Sequence, residues 1–161
     1  MDCSGGTMIN EEGLKILKES EGLFLTSYKC PAGIWTIGYG TTIYPSGKRV
    51  QPNEVCTYDQ AREYLEFELK EKAATIKNWI NNNKLELTGN QFSALLCFAF
   101  NLGCGPIIDK DRSLSQAILH NKDIRKAFMM YNKIKVWYGT KELRGLTIRR
   151  TKEADLYFTK G

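Results

Sequence analysis

Between Phe92 and Leu102 the chain is apolar on nearly every side, with Ala94, Leu95, Leu96, Cys97, Phe98, Ala99 and Phe100 in unbroken succession. A helix of that kind has no face to give to water, so the rest of the chain must wrap it and it becomes the centre of a helical bundle. Its start carries the capping-box order Thr88 then Gln91, and Gly103 closes it. The same order opens two more helices, Thr57 with Gln60 and Ser113 with Gln116. The first leads a long amphipathic stretch from Tyr58 to about Ile80 whose apolar side is Tyr64, Leu65, Leu69, Ala73, Ile76 and Ile80. Shorter helices are expected near Leu114–Leu119, Ile124–Lys133 and Gly145–Phe158.

Ahead of this helical region the texture changes. Asn10 caps a helix that runs to about Glu21, where Gly22 can stop it, and Ile9 and Leu14 are spaced for a hydrophobic staple. Thr26 to Val50 is rich in Tyr, Ile, Trp, Thr and Gly, with turns at Pro31-Ala32-Gly33 and Pro45-Ser46-Gly47, which reads as a small antiparallel sheet ended by Pro52. The architecture is therefore α+β: one domain over residues 9–161, in which an N-terminal helix and sheet lobe (9–52) packs beside a mostly helical lobe (53–161) with a central buried helix. Residues 1–8, MDCSGGTM, have no signal-peptide layout and are expected to be a leader, an expression remnant or a disordered start. A chain of 161 residues can bury a core without disulfide or metal staples. No apolar run approaches the ~18 residues of a transmembrane helix, so no stable membrane insertion is expected.

Several reaction classes drop out on spacing. The five cysteines form no Cys-x-x-Cys pair and His120 is the single histidine, so neither a metal site nor any other cofactor is expected. Asp109, Asp111, Ser113 and Ser115 imitate the start of a calcium loop, but Leu114 stands where Gly is needed and His120 where the bidentate Glu belongs, leaving a polar turn. Gly47-Lys48 lacks the earlier Gly of a phosphate loop, and there is no Gly-x-Ser-x-Gly elbow. His120 reads as an exposed helix-end residue, which weakens a Cys/His hydrolase. The net charge of +5 favours anionic partners and lies entirely in residues 133–161, where 8 Lys/Arg face 3 Asp/Glu; residues 1–132 hold 15 of each. That basic stretch has neither a helix-turn-helix pattern nor an aromatic stacking platform, so nucleic acid is not an expected partner.

What remains is Glu19 to Gly40, ESEGLFLTSYKCPAGIWTIGYG, where a helix-end Glu meets a tight, Gly-rich sheet at the junction of two lobes. Glycosidic hydrolysis needs a proton donor for the leaving oxygen and a group that activates or positions water on the other face of the sugar. Glu21 can supply the proton. The expected second carboxylate is missing, for Tyr28 to Gly40 contains no Asp or Glu, only Lys29, Cys30, Thr36 and tyrosines.

This segment resembles the active-site region of the bacteriophage-type lysozymes, glycoside hydrolase family 24, whose frame is a Glu, eight residues, an Asp or Cys, five residues, and a Thr. The frame selects Glu21, Cys30 and Thr36, and Glu19 misses it by two residues. Thr36-Ile37-Gly38-Tyr39-Gly40 is typical of the family; Gln91 to Gly103 is similar to its central helix; Gly145-Leu146-x-x-Arg149-Arg150-x-x-Glu153 is similar to its C-terminal helix. The resemblance implies a lysozyme-like fold and a peptidoglycan muramidase acting between N-acetylmuramic acid and N-acetylglucosamine. It implies an endolysin, expected as a monomer, made in the bacterial host cytoplasm and acting on periplasmic peptidoglycan.

Carried over by position, Glu21 is the general acid, Cys30 stands at the water-activating position, and Thr36 holds that water or the thiol. Arg149 is the first choice for the basic residue beside the acid and Arg150 the second, with Tyr39 as a supporting residue. Where many members continue after Gly40 with His, this chain has Thr41. A thiol with an ordinary pKa near ~8.5 must be depressed to serve as a base, so Cys30 is expected to set an alkaline, oxidation-sensitive requirement. A disulfide from Cys3 or Cys56 to Cys30, as some anchored members of the family use, would mask it; five reduced thiols is the alternative. The missing second carboxylate also keeps open a lytic transglycosylase, which needs no water-activating base, and a lysozyme-like protein that has lost activity.

Overall fold

The computed structural model describes residues 9–160, so the expectations for residues 1–8, Cys3 included, lie outside the described residues. Asn10 caps α1 (Glu11–Glu21) as expected, its side chain accepting from the Gly13 N–H, and Gly22 ends it at φ 73° while its N–H donates to the Lys18 carbonyl. Strands β1 (Phe24–Lys29) and β2 (Trp35–Gly38) pair antiparallel, Tyr28 opposite Thr36 and Lys29 opposite Trp35. The rest of the expected sheet is realised as single bridges, Ile43 to Arg49 and Thr26 to Val55.

Both long helices carry the full reciprocal capping box. Thr57 opens α2 (Tyr58–Asn82) and Thr88 opens α3 (Gly89–Leu102). All nine residues from Phe92 to Phe100 are buried, and α3 packs against α1, α2 and two later helices, Gly105–Ile108 and Arg144–Phe158, the central position its apolar run requires. After Gly103 come α4 (Gly105–Ile108), α5 (Ser113–His120) and α6 (Ile124–Met129).

Two expectations fail in this stretch. Ser113 is the first helical residue rather than the cap; the cap position is Arg112 and makes no side-chain cap bond, while Gln116 donates instead to the Lys110 carbonyl. After the Asp109–Arg112 turn, closed by Arg112 N–H to Asp109 O at 2.9 Å, the helix begins one residue earlier than the box pattern assumes. The helix expected to reach Lys133 stops at Met129, and the chain forms a hairpin, β3 (Lys133–Val136) with β4 (Gly139–Glu142), before α7 (Arg144–Phe158). Lys-Ile-Lys-Val alternates with the period of a strand, but its two-residue turn, Trp137-Tyr138, lacks the Asn-Gly or Asp-Gly signature by which such hairpins are read. Among the described residues no helix is long and apolar enough to cross a membrane.

Candidate active site

Glu21 is the last residue of α1 and stands between three elements. From α7, Arg149 Nη1 donates to Glu21 Oε2 at 2.5 Å; the two side chains are 5% and 19% exposed. The same guanidinium donates through Nε to Glu153 Oε2 at 3.1 Å and through Nη2 to the Cys97 carbonyl at 3.0 Å, so α1, α3 and α7 are joined at one group. Burial opposes the charge on Arg149, but Cys97, Glu153 and Glu21 around it outweigh burial and raise its pKa.

The expectation that Arg150 could serve in place of Arg149 is not met. Arg150 is fully buried, with Nη2 donating to Asn101 Oδ1 at 2.5 Å, Nε 3.3 Å from Glu153 Oε1, and its guanidinium over the Phe98 ring at 4.8 Å. Neighbouring residues on a helix point about 100° apart, so only one of the pair can face α1. The 3.3 Å contact is a charge pair whose angles do not make a hydrogen bond, since Arg150 Nε and Glu153 Oε1 have no hydrogen-bond partner. Burial raises the Glu153 pKa, against the pull of Arg150 and Arg149.

On the other side of Glu21 lies the turn after β2. Gly40 has φ +86°, and a Cβ there would stand 2.6 Å from Glu21 Oε1; Gly38 has φ +66°, and its Cβ would stand 3.2 Å from that of Ala61 on α2. Glycine is required at both places, by backbone conformation and by space. The turn is thus wedged between α2 and the acid, with Oε2 held by Arg149 and Oε1 facing Gly40. Tyr39, between the two glycines, is 5% exposed and lies under Lys18 Nζ at 5.3 Å, so it packs the turn and does not face the solvent.

Cys30 opens the β1–β2 turn and Thr36 stands on β2 just after it. The Cys30 N–H donates to the Ile34 carbonyl at 3.0 Å and the Gly33 N–H to the Cys30 carbonyl at 2.8 Å. Burial pushes the thiol up, but hydrogen bonds from the Ile34 and Ala32 backbone and the Thr36 side chain together hold it below its ordinary value. The Thr36 hydroxyl has one proton; here it goes to the Ile34 carbonyl at 2.9 Å, and serving a thiolate requires it to turn. Lys29, on the opposite face of the strand, places its Nζ over the Trp35 ring at 5.8 Å and is not among the groups that lower the thiol. Tyr28 is pushed up by burial, then by the charges of Glu21 and Cys30, so each of those two groups is within electrostatic reach of Tyr28. Cys30, Cys56, Cys97 and Cys104 are free thiols.

Reading the strands alone missed Glu68. It sits on α2, half-buried in a groove of about 290 Å³ shared with Thr42, Ile43, Tyr44, Tyr64 and Phe67. Burial raises its pKa, Lys72 lowers it, and the charges of Glu21 and Glu71 raise it further. Glu68 follows Ala61 and Leu65 on the buried side of α2, a spacing that could have marked it as a carboxylate turned toward the sheet. A second hollow of about 420 Å³ between α5 and α6, including His120, contains none of the frame residues. Among the described residues no cluster of His, Cys, Asp and Glu is arranged to hold a metal ion.

Residues 18–153 match the family model described as phage lysozyme, a span that contains Glu21, Cys30, Thr36, Arg149 and Glu153. The chain belongs to the phage lysozyme family. An endolysin of Acyrthosiphon pisum secondary endosymbiont phage 1 is 32% identical over 149 residues, covering 92% of this chain and 97% of that protein. A SAR-endolysin of Haemophilus phage HP1 is 28% identical over 155 residues, covering 92% and 80%. Among solved structures, the endolysin from Escherichia coli O157:H7 phage FAHEc1 superposes with a TM-score of 0.83 at 31% identity, covering 94% of this chain and 93% of that one. The expected lysozyme-like α+β fold is therefore the fold observed, and the glycoside-hydrolase assignment follows with the family.

Proposed function

We propose that this lysozyme degrades peptidoglycan during host lysis by cleaving the β-1,4 bond after N-acetylmuramic acid, with Glu21 as general acid, Cys30 as the water-activating group and Thr36 as its support. The observation that carries the reading is the wedging of Gly40 against Glu21 Oε1 while Arg149 holds Oε2, which leaves one defined oxygen for the leaving group. Proton delivery from Oε1 to the glycosidic oxygen lets the N-acetylglucosamine side leave as an alcohol while the N-acetylmuramic acid ring becomes oxocarbenium-like, and water that gives its proton to the Cys30 thiolate adds to that ring to complete hydrolysis. Glu153 supports Arg149 with a carboxylate that remains when Glu21 gives up its charge, so the arginine can stay in place through the cycle. The thiol held below its ordinary value supports Cys30 as a base at mildly alkaline pH. Action as a monomer is part of the proposal, and the setting proposed is synthesis in the bacterial cytoplasm followed by action on periplasmic peptidoglycan.

Clearing of purified peptidoglycan, with Glu21→Gln as control, tests the assignment. New reducing ends are the expected product. A 1,6-anhydro sugar would assign the chain to the transglycosylases, the alternative that the lack of a carboxylate at position 30 keeps open. Clearing undiminished in Glu21→Gln would remove Glu21 from the acid role.

A further inference from the structure

The β3–β4 hairpin has no part in the chemistry above, and it does not serve the core either. All four residues of β4 and three of the four of β3 are exposed. The ladder pairs Lys133 with Glu142, Ile134 with Lys141, Lys135 with Thr140 and Val136 with Gly139, which leaves Trp137 and Tyr138 alone at the tip. Trp137 is 95% exposed and Tyr138 63%, their rings edge to face at 5.1 Å and 86°. Lys135 and Lys141 flank the tip along the two strands, Lys133 and Arg144 stand at the base, and Glu142, opposite Lys133, is the one carboxylate between residues 133 and 144. The base is pinned: the Leu143 N–H donates to the Asn132 carbonyl at 3.0 Å, and Asn132 Nδ2 to Thr147 Oγ1 at 3.1 Å on α7. A four-residue strand carries the tip roughly 13 Å from that anchor.

We propose that this hairpin docks the protein on an anionic phospholipid surface, with Trp137 and Tyr138 entering the headgroup layer and the lysines meeting the lipid phosphates. Trp and Tyr favour the boundary between water and hydrocarbon because each joins an apolar ring to a polar tip, and each nearby Lys adds attraction to an anionic leaflet. The geometry disfavours the rival occupant, a glycan strand. A sugar ring needs a flat face in a concave site with polar groups beside it, whereas these two rings pack edge to face against each other at an exposed turn flanked by point-charge lysines. The localisation of the whole +5 to residues 133–161 takes on a surface meaning as well, because Arg149 and Arg150 are buried and paired while Lys133, Lys135 and Lys141 are all exposed.

Co-sedimentation of the full chain with vesicles of phosphatidylglycerol and phosphatidylcholine, against phosphatidylcholine alone, tests this. Binding should require the anionic lipid, weaken with salt, and fall about tenfold or more in Trp137→Ser/Tyr138→Ser. Each of Lys133→Gln, Lys135→Gln and Lys141→Gln should weaken it up to about fivefold. The tip variant should keep its rate on short soluble peptidoglycan fragments, which shows that it is folded. Equal vesicle binding by the tip variant, or no vesicle binding by the parent chain, overturns the proposal. So does a tip variant that loses retention on purified sacculi while binding vesicles unchanged, which would assign the rings to the glycan.

Discussion

The two sides of the proposed site, one for the acid and one for the water, are built on different principles. The acid side draws on α1, α3 and α7: Glu21, Arg149, Glu153, Arg150 and Asn101 form one chain of charge contacts, with Arg149, Arg150 and Glu153 each at most 5% exposed. The water side is local, a turn of residues 30–36 in which backbone N–H groups and one hydroxyl set the state of a half-buried thiol. Charge on the acid side is therefore fixed by tertiary packing, and on the water side by the path of a few consecutive peptides. Damage to the first should spread into stability, and damage to the second should stay in the pH profile.

The largest expected effect is Glu21→Gln, which should lower kcat by about 10²–10⁴. Glu153→Gln should tell the two sides apart most sharply. It leaves two buried guanidiniums short of their shared carboxylate, a change that costs about 3–5 kcal/mol, so thermal unfolding should drop by roughly 6–20 °C. An unchanged midpoint would mean the network does not bear on the fold. Cys30→Ser should remove most activity, on the order of 10²-fold, with unfolding unchanged, whereas Cys30→Asp should retain much of it; an active Ser variant rules out the base role.

If Cys30 is the base proposed above, its active form is the thiolate, and that sets the sign of the pH dependence. Activity should rise with pH through a limb lowered from the ordinary thiol range, and in Cys30→Asp that limb should move toward the carboxylate range near ~3.9. Gly40→Ala, forcing a methyl against Glu21 Oε1, should reduce kcat/KM about tenfold or more with the same pH limb as the parent. Thr36→Val is the mildest: it removes one of the hydrogen bonds that lower the thiol, so the limb should shift upward by less than one pH unit and the fold should hold.

The parts of the fold legible in the sequence are those decided by local chemistry. Asn10, Thr57 and Thr88 each cap the helix they precede, and the apolar run of α3 dictates its central place. The misreadings share a different cause. Ser113 has the right neighbour three residues on, yet the turn before it shifts the helix start. Residues 133–142 alternate as a strand but turn on Trp137-Tyr138, which carries no glycine at its centre. At the site, the frame residues were readable as a spacing, but which arginine meets Glu21 depends on how α7 is rotated. The carboxylate nearest in kind to the missing partner, Glu68, came from another element altogether.

Glu21 and Arg149 are 128 residues apart in the chain. At about 5–20 residues per second, synthesis places the arginine on the order of ten seconds after the glutamate, and α7 must still dock before the two meet. A nascent chain therefore carries its acid residue without the cation that holds it, and competence to cut a cell wall is assembled among the last events of folding.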